Sequence, residues 1–188
     1  MNTLIDLMGS FIIGGLVFLM GLNFGLFSSE VKHGSDAELQ VQGNAAAIAE
    51  MLDYDLRKVG FNYDGVAVLE ALPKRFSFLG DVDSNGVVDQ VTYFMGDSTE
   101  VPSTENPRDR MLYCVINGDT LGRPALGLVD IKFTYHTVTG TVTTVPAQVK
   151  YVEAEIWVES PYKIKNEISG NYEYLFTYWE MKISPRNI

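Results

Sequence analysis

Residues 2–29 read NTLIDLMGSFIIGGLVFLMGLNFGLFSS, and this stretch decides how the rest of the chain is organised. From Leu7 to Ser29 no side chain is charged, and a helix of these residues is long enough to cross the ~30 Å hydrocarbon core of a bilayer. A cleaved signal peptide begins with a basic region and ends in small residues, whereas no Lys or Arg precedes Lys32 and FGLF at 24–27 is no such cleavage site. We therefore expect an apolar helix that stays in the working protein.

One acid, Asp6, and five glycines stand out in this apolar stretch. Thr3 lies three residues before Asp6, which is the spacing of a capping box, where an acid in the first helical turn meets free backbone N–H groups. Each glycine inside a helix costs about 1 kcal/mol against alanine, so five of them need a reason. The spacing of Gly21 and Gly25 lets membrane helices approach closely. The five glycines are Gly9, Gly14, Gly15, Gly21 and Gly25.

The composition limits the classes of partner. The chain has 188 residues, a formal net charge of -10 at pH 7 and an isoelectric point near 4.6. Such a surface repels phosphates, so nucleic-acid binding and attraction to anionic lipid are excluded as main functions. The single cysteine, Cys114, has no partner for an intrachain disulfide, and its apolar, alternating position predicts a buried small side chain.

Residues 30–60 predict an amphipathic stretch of helix. The polar residues 28–35 fit either a continued helix or a hinge, and apolar residues then recur at spacings of three and four. Gly60 is placed to end the helix as a C-cap. An apolar stripe of this kind is typical of a helix face that packs on a sheet. The stripe consists of Val41, Ala45, Ile48, Leu52, Leu56 and Val59.

The remainder, residues 61–188, is rich in β-branched and aromatic residues and predicts strands. Short connections that contain Asn-Gly, Gly-Asp and Thr-Gly pairs favour antiparallel pairing. The stretches 96–110 and 161–171 are expected to be surface loops. The expected strands cover residues 65–71, 75–79, 87–95, 111–116, 128–137, 148–159 and 172–183.

Together these segments predict an α+β chain in which a long N-terminal helix packs on an antiparallel β-sheet. We divide it into an apolar helix over residues 1–29, an amphipathic helix over 30–60 and an antiparallel β domain over 61–188. The first segment suits a membrane, and the other two together have the length of one ordinary domain.

An acidic stretch between two expected strands matches the first nine positions of an EF-hand loop, D-x-D-x-N-G-x-x-D. Hard cations need several oxygens at short range, and the turn at Gly86 would bring such oxygens together. Thr92 stands where such a loop has its last acid. The alternative is a β-hairpin whose Asp, Asn and Gly residues only form the turn. The candidate calcium ligands are Asp81, Asp83, Asn85, the carbonyl of Val87 and Asp89.

No other arrangement of residues indicates an active site, and we expect neither enzyme activity nor a cofactor other than calcium. The two histidines, His33 and His136, are far apart in the sequence and lack a neighbouring Cys or His, which argues against a zinc site or a His-based triad. Glu153, Glu155 and Glu159 alternate along one expected strand, which is typical of a solvated face.

Three short motifs resemble one family. TLIDLM at residues 3–8 is similar to the T-L-I-E-L-M opening of mature type IV pilins and type II secretion pseudopilins, with Asp6 at the position of the family's acid. LRKVGF at 56–61 resembles the end of the long helix in the larger minor pilins and J-type pseudopilins, and PRNI at 185–188 resembles their C-terminal ending. The opening is atypical, since Asn2 stands at the usual Phe, the acid is Asp rather than Glu, and the chain shows no leader with a Gly-Phe cleavage site.

The resemblance implies a pilin-like fold and a subunit that waits in the inner membrane before it joins an extracellular filament at the cell surface. The pilus assembly machinery would build this homopolymer around the apolar helices, and Asp6 would pair with the N-terminal amine of a neighbour. Between about Gly14 and Gly25 the helix is expected to stretch in the filament. The residues expected to act in assembly are Thr3, Asp6, Gly14, Gly15, Gly21 and Gly25.

Two other roles stay open. One is a minor pilin or pseudopilin at the tip of a type II secretion pseudopilus, which the motifs at 56–61 and 185–188 match well. The other is a membrane-anchored binding module that never polymerises. Copy number in isolated fibres separates the first role from a repeating subunit, and replacement of Asp6 separates the second.

Overall fold

The computed structural model describes residues 2–102, 104–166 and 169–188. Its first element is a single α-helix of 55 residues, α1, from Asn2 to Leu56. The polar residues 28–35 are helical, so the alternative of a hinge between two helices is not adopted. Leu, Met and Ala, which are frequent along α1, are among the strongest helix formers. The long N-terminal helix predicted from the sequence is therefore confirmed.

α1 ends four residues before the predicted cap. Hydrogen-bonded turns occupy residues 57–62, and Gly60 lies among them with a φ of +77°. Its N–H donates to the carbonyl oxygen of Leu79 at 2.8 Å, and an added Cβ would come within 2.6 Å of the carbonyl oxygen of Asn187. Glycine is needed here for a left-handed backbone and a close approach, not to cap the helix directly. The contact also brings the motif at 56–61 against the PRNI ending.

Within the described residues ten strands follow α1 and form three sheets, in which every pairing is antiparallel. The strands are β1 (Val68–Leu72), β2 (Arg75–Gly80), β3 (Asp89–Met95), β4 (Leu112–Ile116), β5 (Asp119–Gly122), β6 (Leu128–His136), β7 (Tyr151–Glu159), β8 (Ile164–Lys165), β9 (Tyr172–Glu173) and β10 (Phe176–Ile183). The first sheet has the order β1-β2-β3-β4-β5, the second has the order β10-β7-β6, and β8 pairs with β9. The α+β, pilin-like fold class predicted from the sequence is confirmed.

The sequence did not reveal three features of these sheets. β5 is an edge strand whose four residues are all exposed, so it carries no apolar alternation. β8 lies in the stretch 161–171, which was predicted to be a surface loop and whose residues 167 and 168 lie outside the described residues. The single strand predicted at 172–183 is two strands, β9 and β10, which belong to different sheets.

The core lies between the second half of α1 and the two larger sheets. The predicted helix stripe is buried, with Leu52 and Leu56 each 0% exposed. Phe76 and Phe78 face it from alternate positions of β2, and their ring centroids lie 5.4 Å apart. Cys114 on β4 is also buried in this core, as predicted. Burial of apolar area on this scale is the main force that stabilises the domain.

The chain divides into two compact units, residues 1–37 and 38–188. This division differs from the predicted boundaries after residues 29 and 60. Residues 38–56 of α1 belong with the strands because their apolar stripe shares one core with strand residues.

The stretch 96–110 is only partly the surface loop that was predicted. Asn106 and Asp109 are each 1% exposed, and the N–H of Arg110 donates to the carbonyl oxygen of Leu128 at 2.8 Å. Proline and charged residues are typical of exposed loops, so composition alone does not indicate that these polar side chains turn inward. We call residues 104–110 the strap.

Candidate functional site

Residues 3–27 of α1 form an apolar surface that no other part of their own unit covers. Sixteen large apolar side chains are exposed there, from 50% at Leu22 to 74% at Phe11. An 18-residue window of α1 has a mean hydropathy of 2.0, and none of it is buried. Among the described residues, α1 is the one helix long and apolar enough to cross a membrane. A continuous apolar surface of this extent marks contact with lipid or with another protein.

The glycines of this surface have open space around them. An added Cβ would meet no atom within 4 Å at Gly14, Gly15, Gly21 or Gly25. Gly14 and Gly15 lie at a shallow apolar concavity of the helix surface, together with Leu7, Ser10, Phe11 and Phe18. Each glycine costs about 1 kcal/mol in a helix, and no atom of the described chain requires its small size. A neighbouring helix that packs closely would impose such a requirement.

Asp6 and Thr3 are exposed on the same segment. Because α1 already includes Asn2 and Thr3, Thr3 is not at the N-cap position and Asp6 lies beyond the first turn. The capping-box interpretation is therefore wrong for these two residues. The hydroxyl of Ser10 donates to the backbone carbonyl of Asp6 at 2.8 Å, whereas the Asp6 carboxylate has no hydrogen bond or ion pair within the described residues.

The second candidate site is the acidic loop between β2 and β3. These strands form the expected hairpin, in which Phe76 pairs with Tyr93 and Phe78 pairs with Val91. The loop brings together the carboxylates of Asp81, Asp83 and Asp89, each of which places an oxygen within 4.8 Å of the others. This spacing suits oxygens that share one calcium ion at 2.3 to 2.6 Å.

Asp81 organises this loop from a fully buried position, at 0% exposed. Its Oδ1 accepts the N–H of Asn85 at 3.0 Å, and its Oδ2 accepts the N–H of Gly86 at 2.9 Å and the Asn62 side-chain amide at 2.8 Å. Burial alone acts to raise the pKa of Asp81 and is the largest influence, but the hydrogen bonds together outweigh it and lower the pKa. The carboxylate is thus held ionised by the turn itself.

The other predicted ligands already make hydrogen bonds within the loop or to its neighbours. The Asn85 side chain donates to Asp83 Oδ2 at 2.8 Å, and its Oδ1 accepts the N–H of Val87 at 2.7 Å. Asp89 accepts from the N–H of Val82 at 3.2 Å and from the Asn117 side chain at 2.7 Å. These bonds fit the turn-forming interpretation as well as calcium binding.

Thr92, at the place of the last EF-hand acid, is 6% exposed on β3 and shares a hydrogen bond of 2.9 Å with Ser77, so it does not complete the loop. Calcium binding stays a prediction. Calorimetric titration of the full chain with calcium tests it, with Asp83→Asn as the variant expected to abolish binding. Equal heats in the chain and in the variant would count against a calcium site.

Sequence reasoning missed a buried polar cluster under the strap. The Asn106 amide donates to Glu159 Oε2 at 2.8 Å and to the Ser160 carbonyl at 3.2 Å, and Arg108 Nη2 lies 2.9 Å from the same Glu159 oxygen. Glu159 is only 9% exposed, so the prediction of a solvated face is wrong for this residue. The Asn-Pro-Arg-Asp-Arg sequence at 106–110 was the only signal, and it is equally typical of a loop.

Asp109 is the unusual member of this region. Both of its carboxylate oxygens are buried without a hydrogen bond that meets ordinary geometry. Burial raises the pKa of Asp109 above its usual value, nearby Glu159 adds to the rise, and the Thr104 hydroxyl opposes it. A buried carboxyl with so few donors is costlier to ionise than an exposed one.

A further group of polar side chains holds the end of α1 to the first sheet. The hydroxyl of fully buried Tyr93 donates to Asp55, and Arg123 Nη2 lies 3.4 Å from the same Asp55 oxygen. Burial is also the largest influence on the pKa of Cys114, and it raises that pKa. A thiol that is buried and harder to ionise is a poor nucleophile, so these contacts serve packing. The absence of enzyme activity stays a prediction.

His136, Glu153 and Glu155, which the sequence did not indicate as a site, make contacts between strands. His136 places Nε2 3.0 Å from a Glu153 oxygen and Nδ1 3.2 Å from the Gly140 carbonyl. Lys132 Nζ lies 2.6 Å from a Glu155 oxygen. These pairs join neighbouring strands of the second sheet and do not assemble a zinc site or a triad.

Fold and sites together define an α+β protein with an uncovered apolar N-terminal helix and an acidic hairpin loop. No family model, no curated protein and no solved structure matches this chain.

Proposed function

We propose that this chain is the structural subunit of an extracellular filament that polymerises through its apolar N-terminal helix. The observation that carries the proposal is the uncovered apolar surface of residues 3–27, which stands on a helix whose later residues are buried in their own domain. The resemblance of TLIDLM at 3–8, LRKVGF at 56–61 and PRNI at 185–188 to pilins and pseudopilins supports the same role.

The energetics favour assembly once the helix leaves lipid. Sixteen large apolar side chains between residues 3 and 27 are exposed by half or more. Fully burying such a side chain contributes about 1.5 to 3 kcal/mol. Covering ten of them therefore contributes about 15 to 30 kcal/mol, which equals or exceeds an association cost of about 4 to 15 kcal/mol. A bilayer covers the same surface before assembly, so the inner membrane is the proposed place of storage.

The Asp6 carboxylate needs a polar partner when the helix is surrounded by other apolar helices. A carboxylate in a water-poor helical bundle is costly unless it finds a cation or a donor. Its own chain supplies none among the described residues, so a neighbouring subunit is the proposed source. The resemblance identifies that source as the N-terminal amine of the next subunit. The four open glycines would let the helices approach closely enough for this pairing.

The test compares two acids of α1. Asp6→Ala removes the proposed intersubunit charge, and Asp36→Ala removes an exposed acid of the same helix as a matched control. We expect Asp6→Ala cells to lack filaments that contain this chain in electron micrographs of sheared surface material, while Asp36→Ala cells keep them. Membrane fractionation of the Asp6→Ala cells is the control for expression. Recovery of the variant in the membrane fraction would show that it is still made and inserted.

Two outcomes would replace the proposal. Unchanged behaviour of the Asp6→Ala chain, with no filament in the parent cells, would identify a membrane-anchored module that does not polymerise. Filaments that contain only a few copies of the chain, measured by quantitative mass spectrometry, would identify a minor pilin or a pseudopilus tip subunit. A repeating subunit should be the most abundant protein of the fibre.

A further inference from the structure

A cleft of about 600 Å³ in the unit 38–188 concentrates positive charge. It is lined by Lys74, Met95, Arg108, Arg110, Val129 and Asp130. Three of these residues are cationic and one is acidic, so the lining carries a net charge of +2. The whole chain carries -10, which leaves -12 for all other residues. This cleft is thus opposite in sign to the chain as a whole.

Along the end of the strap, residues 108–110, successive side chains point alternately into the cleft and into the protein, and those that line the cleft are cationic. Arg108 and Arg110 both line the cleft, whereas Asp109 between them is 1% exposed and turns away from solvent. The backbone N–H of Arg110 donates to the Leu128 carbonyl at 2.8 Å, which fixes the strap against the start of β6. Burial raises the pKa of Asp109 above its usual value. Asp109 does not line the cleft, whereas Glu159 contacts Arg108 directly at 2.9 Å.

The cationic groups differ in how far they are already engaged. Lys74 binds Asp130 and donates to the Ile131 carbonyl at 3.0 Å. Arg108 contacts Glu159 at 2.9 Å through one nitrogen, and its guanidinium lies 5.4 Å from the Tyr174 ring centroid. Arg110 has one long side-chain hydrogen bond in the described residues, from Nη1 to the Gly96 carbonyl at 3.5 Å, and its charge also acts on the Asp97 carboxylate. With five N–H donors on a guanidinium, Arg110 keeps most of its capacity for a ligand.

We propose that this cleft binds a carboxylate ligand, with Arg110 as the main contact and Arg108 and Lys74 in support. A planar guanidinium offers two parallel N–H donors that match the two oxygens of a carboxylate. The volume is in the range of small-molecule sites, and Met95 and Val129 provide apolar contact for a short carbon chain. The ligand is either a free dicarboxylate or an acidic side chain of a second copy, whose surface is strongly negative.

The experiment uses the full chain in a neutral detergent at low salt. Succinate is the probe, and succinamide, which has the same carbon chain without charge, is the control ligand. We expect calorimetry to detect succinate binding but no succinamide binding. Arg110→Gln should weaken succinate binding by about tenfold or more, because it removes a charge-assisted pair of hydrogen bonds. Lys182→Gln, an exposed lysine of β10 outside the cleft, should leave binding unchanged.

The same variants distinguish the two sources of carboxylate. If a second copy supplies it, Arg110→Gln and added succinate should both reduce self-association in sedimentation equilibrium. If self-association is unaffected while succinate binding still depends on Arg110, the ligand is a free anion. Equal binding of succinate and succinamide, or equal succinate binding by Arg110→Gln and Lys182→Gln, would overturn the proposal. Far-ultraviolet circular dichroism of each variant confirms that the fold is kept.

Discussion

The two halves of α1 have the same helical backbone but different surroundings. Between residues 7 and 27 the helix carries no charge, and its large apolar side chains are at least half exposed. Between residues 41 and 56 it is amphipathic, and the stripe that includes Ile48 and Leu52 is buried against strands of its own domain.

The difference teaches where each half finds its partner. The stripe of the second half leaves charged residues on the other faces, so one side packs inward and the other meets water. The first half carries no charge between Leu7 and Ser29, and no part of its own unit covers its apolar side chains, so the partner that would cover them lies outside that unit. A long helix therefore does not by itself indicate a buried helix, and the distribution of charge around it decides the matter.

The largest expected effect is on association. Removing residues 1–37 deletes the uncovered surface and leaves the compact unit 38–188. We expect the shortened chain to be monomeric without detergent, whereas the full chain needs detergent or lipid to stay dispersed. Size-exclusion chromatography with light scattering measures this. Aggregation of the shortened chain would show that the second unit also exposes a surface that needs a partner.

The next effect separates the two halves by stability. Leu52→Ala should lower the free energy of unfolding of the domain by about 2 to 5 kcal/mol, because it opens a cavity at a 0% exposed site. Leu19→Ala removes the same atoms from a side chain that is 57% exposed. It should change the free energy of unfolding of the domain by less than about 0.5 kcal/mol. Urea denaturation followed by fluorescence of Trp157 and Trp179, both in the domain, measures the difference. Similar losses in the two variants would contradict the contrast.

Replacing one glycine in each region by alanine tests the same contrast, with a smaller expected change in stability. Gly60→Ala places a Cβ 2.6 Å from the Asn187 carbonyl at a φ of +77°, so we expect a loss of about 1 to 3 kcal/mol. Gly14→Ala meets no atom within 4 Å in a regular helix and should stabilise that helix by up to about 1 kcal/mol. Urea midpoints report the first, and circular dichroism of the full chain in detergent reports the second. A destabilised helix in Gly14→Ala would show that the glycine is needed within the chain itself.

The smallest expected effect is a dependence of domain stability on pH, which comes from Asp109. Because burial raises the pKa of Asp109, the stability linked to its neutral form is fully present below the unfolded pKa, about 3.9, and is lost as pH rises through the folded pKa. Asp109→Asn stays neutral, so its free energy of unfolding relative to the parent chain should rise as the pH is raised from 4 to 8. Urea denaturation at pH 4 and at pH 8 measures the difference in stability between variant and parent. Asp119→Asn, which replaces an exposed acid, is the control. A gap that does not change with pH would show that Asp109 is ionised throughout.

Much of the fold could be predicted because its signals are local and periodic. The stripe from Val41 to Leu56 repeats with the helical period, and Phe76 and Phe78 alternate with the period of a strand. The end of α1 was misplaced because Gly60 has a conformation typical of a cap but owes it to a contact with Asn187, which is distant in sequence. β5 and the division of β9 from β10 were missed because partner strands, not composition, define them.

The candidate sites were less accessible to sequence reasoning. The acidic loop could be predicted because its residues lie within ten positions of one another. The strap cluster joins Asn106 and Asp109 to Glu159, about fifty residues away, and only folding shows that these side chains are buried together. The alternative interpretation of Thr3 and Asp6 as a capping box is not supported, because spacing alone does not determine where a helix begins, and their role in assembly stays a prediction.

Cys114 has a practical consequence for experiments that test assembly. It is the only cysteine of the chain, it is buried in the core, and burial makes its thiol harder to ionise. Thiol reagents attack the thiolate, so the native side chain should react slowly in the folded protein. A cysteine introduced at an exposed helix position such as Leu19 would then be the only reactive thiol. It could carry a spin label or be used to test for cross-links between copies of the chain, without removal of the native residue.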